Sequence, residues 1–353
     1  MRPLSPLCIA LLAGGAAVAV PSQDPDPDFS RLATARVVAH PERGEFEIEL
    51  APVDLPAGAA HEGGHGHGDQ PPVSLAVVPV DGALYGFRAE VIDSLGRPLP
   101  SALLHHLNVI EPDRRELFLP ISRRLLAAGR ETGSVALPRL LFGIPLHRGQ
   151  RLMIVALLHN PLGTDYYGVR VRVVVRYTPD ARPWPLFQGA PFQLDVAFPV
   201  GDKAFDLPPG RSVWSYDASP AVPGAIVVIG GHFHDYGVSI ALTNVTTGET
   251  LWRAEPVLDS LGRLRSIPVG RLFSLGRMGA RVVPGETYRV TVVYDNPTGH
   301  TVPGGGMGVV GGLFVPDDTA HWPGVDPSDS LYRQDLRHYT RGRGELPLAH
   351  AGH

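Results

Sequence analysis

Short strand-like segments separated by turn residues are the feature that most limits the fold of this chain. Each segment is β-branched or alternates apolar with polar residues, and Gly, Pro or Asp bound it. The 41 Gly and 36 Pro match the many turns that short strands require. The segments are residues 32–39, 45–50, 73–80, 84–92, 103–110, 151–158 and 169–177, and then 192–198, 211–216, 225–230, 237–244, 249–255, 287–294 and 308–315. The pattern predicts an all-β protein of antiparallel sandwiches, interrupted by a weakly helical stretch at residues 121–128.

A proline-rich stretch divides the two series of segments and predicts two domains, as a length of 353 residues also favours. The expected organisation is a signal peptide at 1–19, a polar spacer at 20–30, an N-terminal sandwich at 31–178, a linker at 179–191, a C-terminal sandwich at 192–316 and a polar tail at 317–353. The tail either wraps a domain or is partly disordered.

The N-terminus has the pattern of a secretory signal. Arg2 supplies a positive charge, residues 7–20 are apolar, and Ala17-Val18-Ala19 is a small-x-small cleavage site. The alternative is an uncleaved membrane anchor, but a span needs about 20 apolar residues. We therefore expect a secreted or periplasmic protein with no membrane span after cleavage. Its only cysteine, Cys8, would be removed, leaving no disulfide and no thiolate for a metal.

Charge and motifs exclude several functions. The net charge of −4 and the absence of a Lys/Arg run argue against nucleic-acid binding. The chain has no nucleotide-binding loop, no zinc-protease motif and no nucleophile elbow. A small molecule is the expected partner.

The strongest candidate ligands are His232 and His234, which end an apolar strand. Side chains alternate along a strand, so residues at i and i+2 project to the same side and can chelate one metal. The alternative is a pair of exposed histidines at a strand end.

His105 and His106 are adjacent, and consecutive strand residues face opposite ways. Both can therefore bind one metal only at a bulge or a strand end; otherwise one is buried and hydrogen-bonded while the other is exposed. His159 follows a further apolar strand and precedes a turn at Asn160-Pro161, where a lone histidine is often only a capping or surface residue.

Met307 lies in the glycine-rich run Gly304-Gly305-Gly306-Met307-Gly308. Its neighbours lack the side chains that usually pack a core methionine, which makes it a plausible ligand, although a flexible apolar gap-filler is the more common role of a methionine taken alone. Two further histidine features are expected to be accessory: a solvent-exposed tract from His61 to His67 with weak metal binding, and His300, which is structural or supports a ligand.

Taken in order, the six candidates are His105, His106, His159, His232, His234 and Met307. Three imidazoles form one set, and two imidazoles with a thioether form the other. Imidazole serves both Cu(I) and Cu(II), while a thioether favours Cu(I); zinc would accept the imidazoles but has no use for the sulfur. The chain is therefore expected to bind two copper ions.

In this ligand order the chain resembles the copper type II, ascorbate-dependent monooxygenases, which include the peptidylglycine α-hydroxylating enzyme and dopamine β-hydroxylase. The resemblance covers roughly residues 80–315 and implies two jelly-roll-like sandwiches facing each other across a cleft. It also implies an electron-transfer copper at His105, His106 and His159, and a catalytic, oxygen-binding copper at His232, His234 and Met307.

The chain departs from that family at the substrate contacts. Gly230 stands where the peptide-amidating members have a carboxylate-binding Arg, and Val309 and Gly311 replace their peptide-contacting Asn and Tyr. The family's disulfides are absent. The expected function is an exported dicopper monooxygenase that hydroxylates a C–H bond of a small or apolar substrate with O₂ and ascorbate or another small reductant. The alternative is a periplasmic or extracellular copper-binding protein without turnover.

Overall fold

A computed structural model describes residues 28–57, 72–129, 132–180, 184–197, 203–260 and 264–340. Almost all regular structure in these ranges is β-strand, so the predicted all-β class is confirmed. The predicted signal peptide and the His61–His67 tract lie outside the described residues. None of the described helices has the length and hydropathy of a membrane-spanning segment.

The N-terminal half contains twelve strands and three 3-10 turns. The strands are β1 (Ala33–Thr34), β2 (Arg36–His40), β3 (Glu45–Glu49), β4 (Val53–Leu55), β5 (Ser74–Val77), β6 (Gly82–Ile92), β7 (Leu104–Arg115), β8 (Ser122–Gly129), β9 (Val135–Ala136), β10 (Phe142–Leu146), β11 (Arg151–Leu158) and β12 (Tyr166–Pro179). The 3-10 turns are Phe29–Arg31, Pro41–Arg43 and Ser101–Leu103.

The second half contains fourteen strands and one α-helix. The strands are β13 (Phe187–Gln188), β14 (Ala190–Asp195), β15 (Phe205–Leu207), β16 (Gly210–Ala218), β17 (Gly224–Phe233), β18 (Gly237–Asn244), β19 (Glu249–Ala254), β20 (Val257–Leu258), β21 (Leu264–Ser266), β22 (Gly270–Arg271), β23 (Ala280–Val282), β24 (Tyr288–Asn296), β25 (Val302–Gly306) and β26 (Gly308–Pro316). The helix is α1 (Ser330–Thr340).

Each half forms a two-layer sandwich around its own core. In the first, the sheet β1-β5-β11-β7-β8 packs on β13-β10-β6-β12-β3-β2, with Val109 and Phe46 among the buried contacts between them. In the second, β14-β26-β17-β22 packs on β16-β24-β18-β19, with Phe314 and Val290 in the core. Pairing is antiparallel throughout the central strands, as expected for apolar residues that alternate with polar ones.

The stretch at residues 121–128 is strand β8, not helix, so its helical prediction is wrong. The first five residues of β8 are all buried, and β8 pairs with β7 over most of its length. Ser122, Arg123 and Arg124 interrupt the apolar residues, so the segment has no alternating strand period, and here the pairing with β7 decides.

The same corner occurs in both sandwiches, after β11 and after β24. The amide nitrogen of an asparagine followed by proline donates to three backbone carbonyls, and its oxygen accepts a backbone N–H two residues on. The asparagines are Asn160 and Asn296, and the carbonyls are those of Leu55, Pro56 and Thr164 in the first sandwich and Leu207, Pro208 and His300 in the second. The corner locks equivalent strand ends in the two halves.

The two sandwiches are joined by buried contacts rather than by a linker alone. Leu117 and Phe118, at the tip of the β7–β8 hairpin, belong to the core of the second sandwich. In the opposite direction, Val227 and Leu313 belong to the core of the first. Side chains alternate along β26, so Leu313 shares its face with Gly311 and Val309. This face of the second sandwich therefore lies against the first.

The segment predicted as a polar tail wraps back onto the first sandwich. Tyr332 and Leu336 of α1 pack on Ile110 and Met153, which point outward from β7 and β11. Asp335 forms a buried, bidentate ion pair with Arg124 of β8, at 2.6 and 2.8 Å. Of the two alternatives for the tail, a segment that wraps a domain and one that is partly disordered, residues 317–340 follow the first.

Candidate metal centre at the domain interface

A β-bulge on β7 brings His105 and His106 together. On β11, Leu157 pairs with His106 and the next residue, Leu158, pairs with Leu104, which leaves His105 as an extra residue. A bulge of this kind bends the strand and redirects its side chains. The two imidazole centroids are 4.2 Å apart. The bulge that adjacent histidines need in order to bind one metal is therefore present.

His232 and His234 lie at the end of β17 with their rings on one side. Phe233, between them, is fully buried in the opposite direction. The two imidazole centroids are 5.4 Å apart, as expected for i and i+2 on a strand. The strand stops immediately afterwards in a turn where Tyr236 has a φ of 69°, an uncommon conformation for a residue with a bulky side chain.

The two histidine pairs meet across the domain interface. Ligand nitrogens of His105, His106 and His234 all lie within 4.8 Å of one another. The ring of His232 is 5.2 Å from that of His106, measured between centroids. Within the described ranges, His105, His106 and His234 are the one group of three or more His, Cys, Asp or Glu residues whose ligand atoms lie this close together.

This arrangement differs from the two separate sites that the sequence predicts. His105 and His106 were expected to share an ion with His159, and His234 with His232 and Met307. Instead the closest group takes residues from both sets. The reason is that strand alternation predicts neighbours within one sheet, whereas the packing of one sandwich on the other decides which strand ends face each other.

His159 lies beside this cluster but outside the group of three. Its N–H donates to the carbonyl oxygen of Leu103 at 3.0 Å, which holds the end of β11 next to the start of β7. The side chain is half-buried. His300 is exposed on the Asn296 corner, where its Nδ1 lies 3.1 Å from the carbonyl oxygen of Thr298.

Met307 is tied to His234 through the hydroxyl of Tyr294. This oxygen accepts the N–H of His234 at 3.0 Å and the N–H of Met307 at 2.9 Å, and it donates to the carbonyl of Met307. Tyr294 is fully buried, and burial raises its pKa to about 12, so the hydroxyl keeps its proton and can donate. Pairing of Phe233 with Gly308 likewise places Met307 across from His234. The half-buried methionine is thus anchored at the edge of the cluster.

Neither Tyr294 nor Asp195, a buried carboxylate near His232, was identified from the sequence. Asp195 is 3% exposed, and burial raises its pKa to about 6, against the opposing influence of Lys203 and of His232. A tyrosine at a strand end and an aspartate before a loop are common, so their sequence context carries no distinguishing signal.

The donor set fits a metal that prefers nitrogen and sulfur. Nitrogens bound to one ion at about 2 Å are at most about 4 Å apart, so small ring rotations would bring the three imidazoles into coordination. The Nε2 atoms of His232 and His234 are shielded from solvent. Neutral donors in a partly buried interface suit copper or zinc better than magnesium or calcium, which prefer oxygen.

No family model matches this chain, and no curated protein does. Among solved structures it is similar to PNGF-II, at 10% identity over 78% of this chain and 66% of that one, with a TM-score of 0.30. It is also similar to the VP2 subviral particle of infectious bursal disease virus, at 12% identity over 84% and 75% with a TM-score of 0.22. For the nodavirus of Macrobrachium rosenbergii, identity is 9% over 90% and 99%, with a TM-score of 0.19. The chain spans just under two thirds of the length of PNGF-II, and TM-scores this low support no statement about the site.

Proposed function

We propose that this protein is an exported, copper-dependent monooxygenase whose metal centre lies between its two sandwiches. The observation that carries the proposal is the approach of His105, His106 and His234 to within 4.8 Å of one another. His105 and His106 belong to the first sandwich and His234 to the second, so no local feature of the sequence brings His234 to the other two. The resemblance in ligand order supplies the reaction class.

The donors favour copper over zinc because of Met307. A thioether stabilises Cu(I), and imidazoles serve both oxidation states, so this set suits an ion that cycles. We keep two ions as the expected content, one on His105, His106 and His159 and one on His232, His234 and Met307, although the three closest imidazoles are drawn from both sets. Because His105 and His106 lie beside His232 and His234, electrons would have only a short distance to travel between the two sets.

Copper bound here would supply one-electron transfer and O₂ activation, with ascorbate or another small reductant as the electron donor. The chain's own residues would hold and shield the site. The bulge at His105 presents two rings to one ion, and Tyr294 fixes the backbone of His234 against that of Met307. Donors fixed in this way need little rearrangement when the metal binds.

A strip without side chains runs beside the histidines and suits a small or apolar substrate. Gly230 pairs with Gly311 on the neighbouring strand. Two residues further along β17, on the same face of the sheet, His232 pairs with Val309. A Cβ built at Gly230 would meet only Val269, at an ordinary 3.6 Å, whereas one at Gly311 would lie 3.0 Å from the carbonyl oxygen of Phe192, so the room is above Gly230. No charged side chain stands at these two positions to anchor a substrate carboxylate.

Copper binding without turnover is the second candidate function. It is favoured by the same convergence, because an ion held by His105, His106 and His234 would take His234 from the set that contains Met307 and leave no complete oxygen-binding site. In that case the protein would bind copper tightly and consume no O₂ with any substrate.

Copper stoichiometry and product formation test both functions. Mature protein lacking residues 61–67, which could bind copper independently, would be loaded with copper and supplied with ascorbate and a panel of small substrates. The monooxygenase predicts two coppers per chain and O₂ consumption coupled to a hydroxylated product. Tight copper binding without product would favour the second function.

His234→Ala tests the location of the centre. It should lower copper affinity and abolish product formation, whereas His321→Ala, at an exposed histidine paired with Asp318, should change neither. Unaltered copper affinity in His234→Ala would refute the proposed centre.

A further inference from the structure

Asp195 stands in line with His232 on the face that carries the histidine cluster. In the sheet, Asp195 of β14 pairs with Val309 of β26, and Val309 pairs with His232 of β17. Residues opposite each other project to the same face. Since strands are about 4.8 Å apart, the Cα atoms of Asp195 and His232 are separated by roughly 10 Å, with Val309 between them.

The bonding of Asp195 differs from that of the other buried carboxylates in the described chain. Glu111 pairs with Arg123, and Asp335 pairs with Arg124. Glu116 accepts backbone N–H groups from Leu117, Gln193 and Arg124. The Oδ1 atom of Asp195 accepts only the N–H of Ala197, at 3.1 Å.

The second oxygen of Asp195, Oδ2, is buried and makes no hydrogen bond within the described chain. Asp195 lines a cavity of about 10 Å³ together with Glu116, Arg124, Gln193 and Lys203. That volume holds about one water molecule. An ionised carboxylate here is costly unless a positive charge compensates it.

The proposed donors of the metal centre are all neutral. Imidazoles bind metal in their neutral form, and a thioether has no charge, so each copper would bring its full charge into the interface. Placing an ion in a partly buried interface without a compensating charge is unfavourable. Glu111 and Asp335 are already paired with Arg123 and Arg124, whereas Asp195 has, among the described residues, only the longer-range influence of Lys203, Arg124 and His232.

We infer that Asp195 is the counter-charge of the metal centre: its carboxylate balances the charge of the ion beside His232 without ligating it. The inference rests on the proposed metal centre, but not on turnover. It deepens that function, because a fixed negative charge stabilises Cu(II) more than Cu(I) and so lowers the reduction potential of the site. Burial raises the pKa of Asp195 to about 6, so the carboxylate is ionised at pH 7.5.

The size of the effect follows from Coulomb's law. If the Cα separation of roughly 10 Å is taken as the distance between the charges, with an effective dielectric constant of about 20, one charge pair contributes roughly tenfold in affinity for each unit of metal charge. Asp195→Asn should therefore weaken Cu(I) about tenfold and Cu(II) or Zn(II) about a hundredfold at pH 7.5. A purely structural role would weaken all three ions alike.

The test compares metal affinities, measured by competition with chelators, for the full mature chain and its variants. Asp195→Glu keeps the charge and should restore most of the preference for divalent ions. Asp195→Ser is a second neutral variant in case the first does not fold. Asp217→Asn, at an exposed carboxylate paired with Arg289, is the matched control and should change no affinity.

The inference is supported if divalent ions lose about ten times more affinity than Cu(I), and if the potential rises in the neutral variants. Equal losses for Cu(I) and Cu(II) would overturn it while leaving the metal centre in place. Failure of the unmutated chain to bind these ions would overturn both.

Discussion

Removing the hydroxyl of Tyr294 should destabilise the protein and loosen Met307 at the same time. In Tyr294→Phe, the N–H groups of His234 and Met307 lose their acceptor, and the carbonyl of Met307 loses its donor. Each polar group left unsatisfied in a buried position costs about 1–3 kcal/mol. Because His234 and Met307 are only half-buried, water replaces part of this loss. We therefore expect the free energy of unfolding to fall by about 2–4 kcal/mol.

The assay is urea unfolding of the metal-free chain, followed by Cu(I) and Cu(II) affinities at a concentration of urea where both proteins are folded. Cu(I) affinity should fall more than Cu(II) affinity, since the thioether is the donor that becomes mobile. Tyr167→Phe is the control: its hydroxyl is exposed and contacts only Asp165, so stability should change by less than about 0.5 kcal/mol. A loss below this value in Tyr294→Phe, with unchanged Cu(I) affinity, would refute the role assigned to the hydroxyl.

Three further changes test other parts of the structure. Asp195→Asn should remove a pH dependence of the free energy of unfolding. The pKa of Asp195 is about 6 in the native protein and 3.8 ordinarily, so its carboxyl group favours the native state at low pH and this stability is lost as pH rises from about 4 to 6. At about 1.4 kcal/mol per pKa unit, the loss is up to about 3 kcal/mol. Unfolding of both proteins from pH 4 to pH 7 measures this, and curves with a constant offset would contradict it. Asp335→Asn leaves the buried guanidinium of Arg124 without its partner and should cost about 3–5 kcal/mol in denaturant unfolding. Met307→His should retain copper but favour Cu(II), seen as a lower reduction potential, and normal turnover would show that Met307 is not a ligand.

Strand periodicity was sufficient to predict the fold class. It identified the apolar strand that ends at His232 and His234 and placed both rings on one side, because alternation is a local property of the backbone. It failed at residues 121–128, where Ser122, Arg123 and Arg124 interrupt the apolar residues and no strand period is visible. There, the pairing partner supplies the information.

The composition of the histidine cluster could not be predicted in the same way. Whether His105 and His106 converge depends on a one-residue bulge against Leu157 and Leu158, and bulges have no reliable sequence signal. Which pair then meets His234 depends on how two sandwiches pack, which is a property of the whole interface. The repeated Asn-Pro corner, at Asn160 and Asn296, is one signal that the sequence did contain: the same dipeptide follows an apolar strand in each half.

The return of α1 to the first sandwich has a consequence for the order of events in the cell. Tyr332 and Leu336 pack from outside on β7, the strand that carries His105 and His106. The packing around β7 is therefore complete only after residue 336 has been synthesised and, if the chain is exported as proposed, translocated. Metal would then be acquired by the folded protein in the compartment of destination, whose supply of copper would determine which ion the site receives.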